Sequence, residues 1–217
     1  MIKASGKRLY PDKKNYFYRN ILKINLTIHC MMKPDRSTAL NLLNRYVKNE
    51  KMIFHSLASE AVMRGLARKL GRDEEKWGLA GLLHDLDVEV TNAEPAVHGT
   101  QTENLLSGYE VDPEILDAIR MHNEYSSGKE RSTEFQHALA AGETITGLIF
   151  ATTYVYPEKK LAVVKPKSVV KRMKEKMFAA SVKRENILEC EKIGIPIDEF
   201  AALAIEAMLP IAGEIGL

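Results

Sequence analysis

At 217 residues, 45% of them hydrophobic and 28% charged, the chain has the length and composition of a globular protein with one full hydrophobic core. Its longest apolar runs are cut by charges, as Ile21 to Met32 is by Lys23, before reaching the roughly 18 residues of a membrane-spanning helix, so a soluble protein with no membrane partner is expected. The net charge of +2 hides an asymmetry: residues 1–33 carry eight Lys or Arg against Asp12 alone, which leaves the other 184 residues at −5, and the sequence pI of 8.4 is therefore no argument for a nucleic-acid binder.

The leader over 1–33 is rich in Lys, Asn and Tyr and shows neither a helical nor a strand period. It reads as a flexible basic arm, an organelle-targeting segment, or an upstream extension of a protein whose natural start is Met31 or Met32. Lys rather than Arg and Ser dominates it, and no small-residue cleavage site follows an apolar stretch, which argues against secretion. Residues 34–217 are expected to form one helical domain.

From Asp35 onward, Leu40, Leu43, Tyr46 and Val47 give an apolar stripe at helical spacing. Asn49 is placed to cap a second helix that carries Phe54, Leu57, Ala61, Val62 and Leu66 and stops at Gly71. Asp73 opens a third, apolar nearly all round from Trp77 to Leu83, which belongs at the centre of the domain. A helix is predicted from Pro95 to Leu106. Another begins at Asp112 with Pro113 in its first position and ends at His122. Thr133 to Thr153 reads as a long apolar helix closed by Pro157, followed by helical stretches near 168–180, 184–193 and 198–212. Strand signals are weak, so the fold class is all-α.

Two cysteines, Cys30 and Cys190, with no Cys-x-x-Cys pair argue against a disulfide framework or a cysteine zinc site and fit a cytoplasmic location. The chemistry lies in the histidines. His55, His84 with Asp85 beside it, His98 and His122 each fall on or beside a different predicted helix, which is how a bundle converges side chains on one interior point. A single histidine is more often a satisfied core or surface residue. The His84-Asp85 pair is different, because two polar groups at the end of an apolar helix are costly to bury unless paired or bound to metal.

The series of His55 in Phe-His-Ser-Leu, His84-Asp85 in Gly-Leu-Leu-His-Asp-Leu-Asp, His98 in Val-His-Gly and His122 in Arg-Met-His-Asn-Glu resembles the HD-domain metal-dependent phosphohydrolases. The stretch Trp77 to Asp87 is especially similar to small uncharacterised bacterial members of that superfamily. The resemblance implies an HD-like helical bundle. It departs at the last acidic ligand: no Asp occurs between Asp117 and Asp198, and Ala-Ala-Gly-Glu-Thr at 140–144 places Glu143 where the family has Asp. Glu is one methylene longer and reaches a metal only with a shifted helix or altered denticity.

The resemblance further implies that His55, His84, Asp85 and Glu143 bind one metal, and that Asp85 bridges to a second held by His98 and His122. One or two divalent transition-metal ions are expected, with Fe, Mn, Zn, Ni and Co all compatible with imidazole and carboxylate ligands. Asp87 and Glu60 are candidate acceptors for the outer ring nitrogens. The expected activity is hydrolysis of a phosphate ester, a nucleotide or small phosphomonoester or diester, with Asp85 central. Alternatives are a catalytically degenerate metal-binding regulatory module, which Glu143 makes more credible, and a di-iron oxygenase of the same superfamily. Lys51, four residues before His55, is the first candidate for a cation that stabilises phosphate charge, against the plainer reading of a solvated lysine in a first turn. Lys159 to Lys176 holds eight Lys or Arg against one Glu. That run reads as a solvated face or an edge that attracts polyanions, and its lack of interleaved aromatics argues against nucleic acid as a partner.

Overall fold

Side-chain oxygens start most of the helices that carry the site. Asp35 accepts from the Thr38 backbone N–H ahead of α1 (Arg36–Tyr46), Asn49 from Lys51 ahead of α2 (Glu50–Leu70), and Asp73 from Lys76 ahead of α3 (Glu74–Leu83). Each satisfies a backbone donor that the first turn leaves free. Gly71 ends α2 in the left-handed conformation at φ +66°, which a residue without Cβ adopts at little cost. The computed structural model describes residues 32–217, and the expected leader over 1–33 lies outside them but for its last two residues.

The remaining helices are α4 (Thr102–Leu105), α5 (Pro113–His122), α6 (Glu124–Ser127), α7 (Glu134–Tyr154), α8 (Pro166–Met173), α9 (Arg184–Ile187) and α10 (Ile197–Met208), with 3-10 turns at Leu161–Val163, Leu188–Ile193 and Leu209–Ile211. No strand occurs among the described residues. Residues 33–217 form one compact unit, and none of its helices is long and apolar enough to cross a membrane.

The all-round apolar α3 is the centre, as its composition requires: every residue from Trp77 to Leu83 is buried. It runs very close to α2, because a Cβ at Gly81 would stand 2.6 Å from the Ser59 carbonyl oxygen. This contact sets the ends of the two helices, and with them His55 and His84, side by side. The 21-residue α7, started by a capping box between Thr133 and Gln136, contributes Leu139, Ile145, Leu148 and Ile149 to the same core. Its Phe135 stacks on Trp77 with ring centres 5.0 Å apart and planes 11° from parallel.

Three predicted helices are shorter than their patterns. Only Thr102–Leu105 of the stretch Pro95 to Leu106 is helical. The Asp87 carboxylate takes the backbone N–H groups of Gly99 and Gln101, so these donors are not available to a helical ladder, and Gly99 sits at φ +89°. The stretch 168–180 stops being helical at Met173, and the Arg184 guanidinium satisfies the carbonyls of Phe178, Ala179 and Val182 in the turns that follow. The stretch 184–193 is one short α-turn continued as a 3-10 turn.

Candidate metal centre

α2 brings His55, the end of α3 brings His84 and Asp85, the turns before α4 bring His98, the last residue of α5 is His122, and α7 brings Glu143. Six side chains expected to act together thus meet from five parts of the chain. They form two groups whose ligand-type atoms lie within 4.8 Å of one another: His55, His84 and Glu143, and Asp85, His98 and His122. Asp85 stands between the groups. Its Oδ1 is 2.9 Å from His98 Nε2 and 3.5 Å from His122 Nε2, while its Oδ2 is 3.4 Å from His84 Nε2 and 3.6 Å from His55 Nε2.

The inward nitrogen is the same on all four rings, because the outer one is occupied. His84 Nδ1 donates to the Gly81 carbonyl at 2.8 Å and His122 Nδ1 to the Ile119 carbonyl at 2.6 Å. His98 Nδ1 donates to Asp87 Oδ1 at 2.9 Å. His55 Nδ1 lies 2.8 Å from Thr146 Oγ1, whose own hydrogen goes to the Glu143 carbonyl, so His55 is the donor there. Four Nε2 atoms therefore face inward, and they pair closely: His55 to His84 at 3.1 Å and His98 to His122 at 3.2 Å.

Two ring nitrogens whose partners are already donors stand that close only with a proton or a metal ion between them. Bonds of about 2.1 Å from one ion to two imidazoles at roughly a right angle end about 3 Å apart, so the residues present fit a divalent metal. Burial supports the same reading. It brings the His84 pKa down to about 3, leaving a neutral ring with a lone pair to give. Burial also pushes the Glu143 carboxyl up, a cost that a nearby cation relieves. In Asp85 burial works against the anion, but His84, His122, His98 and His55 outweigh it and hold the carboxyl well below its usual range. His98 is opposed by burial and raised by its hydrogen bonds to Asp85 and Asp87, to about 10. A metal taking its Nε2 displaces a proton.

Of the two suggested outer acceptors, Asp87 serves: it is fully buried and fixes His98 and the backbone of Gly99 and Gln101 together. Glu60 instead takes the guanidinium groups of Arg36 and Arg64. Gly99 fits the site for a second reason, since a Cβ there would stand 3.1 Å from His122 Cε1. Glu143, the longer acid, does reach the group: its Oε2 is 3.8 Å from His55 Nε2, and the Thr144 hydroxyl donates to its Oε1.

His55, Asp85, His98, His122 and Glu143 line a cavity of about 290 Å³, at the small end for ligand pockets. Lys51 is exposed in the first turn of α2 and is not part of this lining; Lys183 is. Sequence patterns did not single out Lys183, Asn186, Thr146 or Arg131. Thr146 had a readable signal, lying three residues after Glu143 on one helix face. Arg131 is buried and donates to the carbonyls of Met121 and His122 at 2.9 and 3.2 Å while Glu189 holds it at 2.8 and 2.9 Å.

Compared with known proteins, residues 52–173, more than half of the chain, match the family model of the HD domain. The chain is similar to ribonuclease Y of Mycoplasma mycoides, 29% identical over 97 residues, which are 45% of this chain and 22% of that protein. It is 27% identical over 97 residues to ribonuclease Y of Mycoplasma capricolum subsp. capricolum, covering 45% and 18% of the two chains. The match thus spans about a fifth of these relatives' length. No solved structure matches the chain.

Proposed function

The chain belongs to the HD-domain family, and on that premise we propose that it is a metal-dependent phosphohydrolase acting on a small phosphate ester, a nucleotide or a phosphomonoester or diester. The observation that carries this reading is the placement of Asp85, one oxygen toward each of two histidine groups on a shared cavity. His55, His84, Asp85 and Glu143 would hold one divalent ion, and Asp85, His98 and His122 a second. Such ions would lower the pKa of water and polarise a phosphoryl oxygen.

The chain's own residues supply the rest. The Nδ1 bonds to Gly81, Ile119, Asp87 and Thr146 keep each imidazole in one tautomer and one orientation, so no reorganisation is needed when a substrate arrives. Asp85 and Glu143 supply the negative charge that keeps cations in place. The bed of apolar side chains under α3 and α7 lowers the local dielectric and strengthens every charge interaction at the cavity floor.

The test is metal analysis of the purified full chain, followed by a screen of phosphomonoesters, phosphodiesters and, because of the relatives' name, RNA, with Mn, Ni, Co and Mg. Turnover with at least one metal and its loss in Asp85→Ala is the expected result. Equal rates in Asp85→Ala and the parent protein overturn it.

The alternative of a metal-binding module without turnover is favoured by one observation, the replacement of the family's Asp by Glu143. It predicts bound metal, no hydrolysis of any ester, and no gain from Glu143→Asp.

A further inference from the structure

The cavity has two kinds of lining. The ligand-type side chains lie within the residues that match the family model, whereas Ser181, Val182, Lys183 and Asn186 lie beyond its end at residue 173. Among the described residues, Lys183 is the one Lys or Arg in the lining. Among the described residues it has no carboxylate within ion-pair distance; its Nζ rests 4.7 Å from the ring centre of Tyr125, itself 73% exposed, just after Asn123 of the same cavity. An aromatic face holds an ammonium group in place without neutralising its charge.

Three residues on lies Asn186, only 6% exposed. Its Oδ1 accepts from Arg131 Nη2 at 3.0 Å, which fixes the amide and leaves the NH2 as the group it can offer to the cavity. A fixed donor and an unneutralised cation on one cavity wall, beside a cluster that takes metal, are the complement of an anionic oxygen group.

We propose that Lys183 and Asn186 form the subsite that recognises the phosphoryl oxygens of the substrate. They are substrate-binding residues: the family-matched part of the chain provides the candidate metal ligands, and the segment 181–186 provides the contacts that hold the phosphoryl group. The inference rests on the phosphohydrolase reading for the identity of the anion. The size of the cavity restricts the substrate portion held inside it to a small phosphorylated group, so these contacts act on the phosphoryl end.

Inorganic phosphate is the probe, titrated calorimetrically into the Mn-loaded full chain, with metal content and Tm measured for every variant. In Lys183→Ala the phosphate Kd rises tenfold or more at unchanged metal content, and Lys183→Arg returns it to within threefold. Asn186→Asp keeps the oxygen that meets Arg131 but replaces the NH2 by an acceptor, and it weakens phosphate tenfold or more. With any ester that the parent protein hydrolyses, Lys183→Ala raises KM by a larger factor than it lowers kcat. Unchanged phosphate affinity in Lys183→Ala with full metal content, or no phosphate binding by the Mn-loaded parent, overturns the subsite. Phosphate bound through Lys183 without hydrolysis of any ester leaves the subsite standing and removes the phosphohydrolase reading instead.

Discussion

The two halves of the candidate metal centre are held by different means. His55, His84 and Glu143 ride on α2, the end of α3 and α7, three elements packed by apolar side chains and by the close approach at Gly81. In the other half, His98 comes from irregular turns that Asp87 pins by three bonds, and His122 ends a helix whose last carbonyls are held by Arg131. The first half comes with the core; the second depends on buried ionic groups. The second half can therefore be lost through one buried ionic residue while the first stands, whereas single substitutions around the first half weaken it without removing it.

The largest effect belongs to the residue both halves share. In Asp85→Ala bound metal falls below one ion per chain and turnover of any ester drops by about 10³-fold, roughly 4 kcal/mol of barrier, measured by elemental analysis and initial rates. Next comes the residue that separates the halves. Asp87→Asn keeps one accepting oxygen but turns the other into an NH2 donor, so it can no longer accept from His98 Nδ1 and from the Gly99 and Gln101 N–H groups together, and metal affinity at the group of Asp85, His98 and His122 falls about 10–100-fold while the other group keeps its ion. Titration of Mn into the apo-protein reads this as the loss of one of two binding steps. Equal weakening of both steps would break the distinction.

The same contrast explains what could be read from the sequence. Helices held by apolar packing announced themselves: Asn49 and Gly71 bound α2, Asp73 opens α3, and Pro113 and His122 frame α5 as periodicity and capping require. The histidine series was legible because its residue types are rare and its order resembles a family. What failed was the segment from Pro95, where a helical pattern loses to a buried carboxylate that competes for the same backbone donors. Helix spacing points to Lys51, but spacing reports which residues share a face and not where a cavity opens. Lys183 and Asn186 reach that cavity from about 130 residues further along the chain, and no local pattern carries that information.

A milder change sharpens the first half. Thr146→Val is nearly isosteric but cannot accept the His55 Nδ1 hydrogen. Metal affinity at the group of His55, His84 and Glu143 is expected to fall about tenfold, with the other binding step unchanged. The Tm shifts by only a few degrees, since the packing of α7 on α2 remains.

The smallest effect tests whether the ionic scaffold of the second half contributes to stability through charge. Burial opposes the Glu189 carboxylate, yet its bonds to Arg131 and His137 outweigh this and hold its pKa below the ordinary value. A carboxyl lowered on folding adds stability that is fully present above the unfolded pKa, about 4.3, and is lost as pH falls through the lower folded value. Glu189→Gln cannot titrate, so the parent protein melts at a higher temperature than the variant at pH 7, and the difference closes as pH falls from about 4.5 through the folded pKa. Thermal melts of both proteins across that range read it directly. A gap that stays constant down to pH 3 would mean that Arg131 is held by shape and hydrogen bonding alone, and the second half of the centre would then be less unlike the first than its buried charges imply.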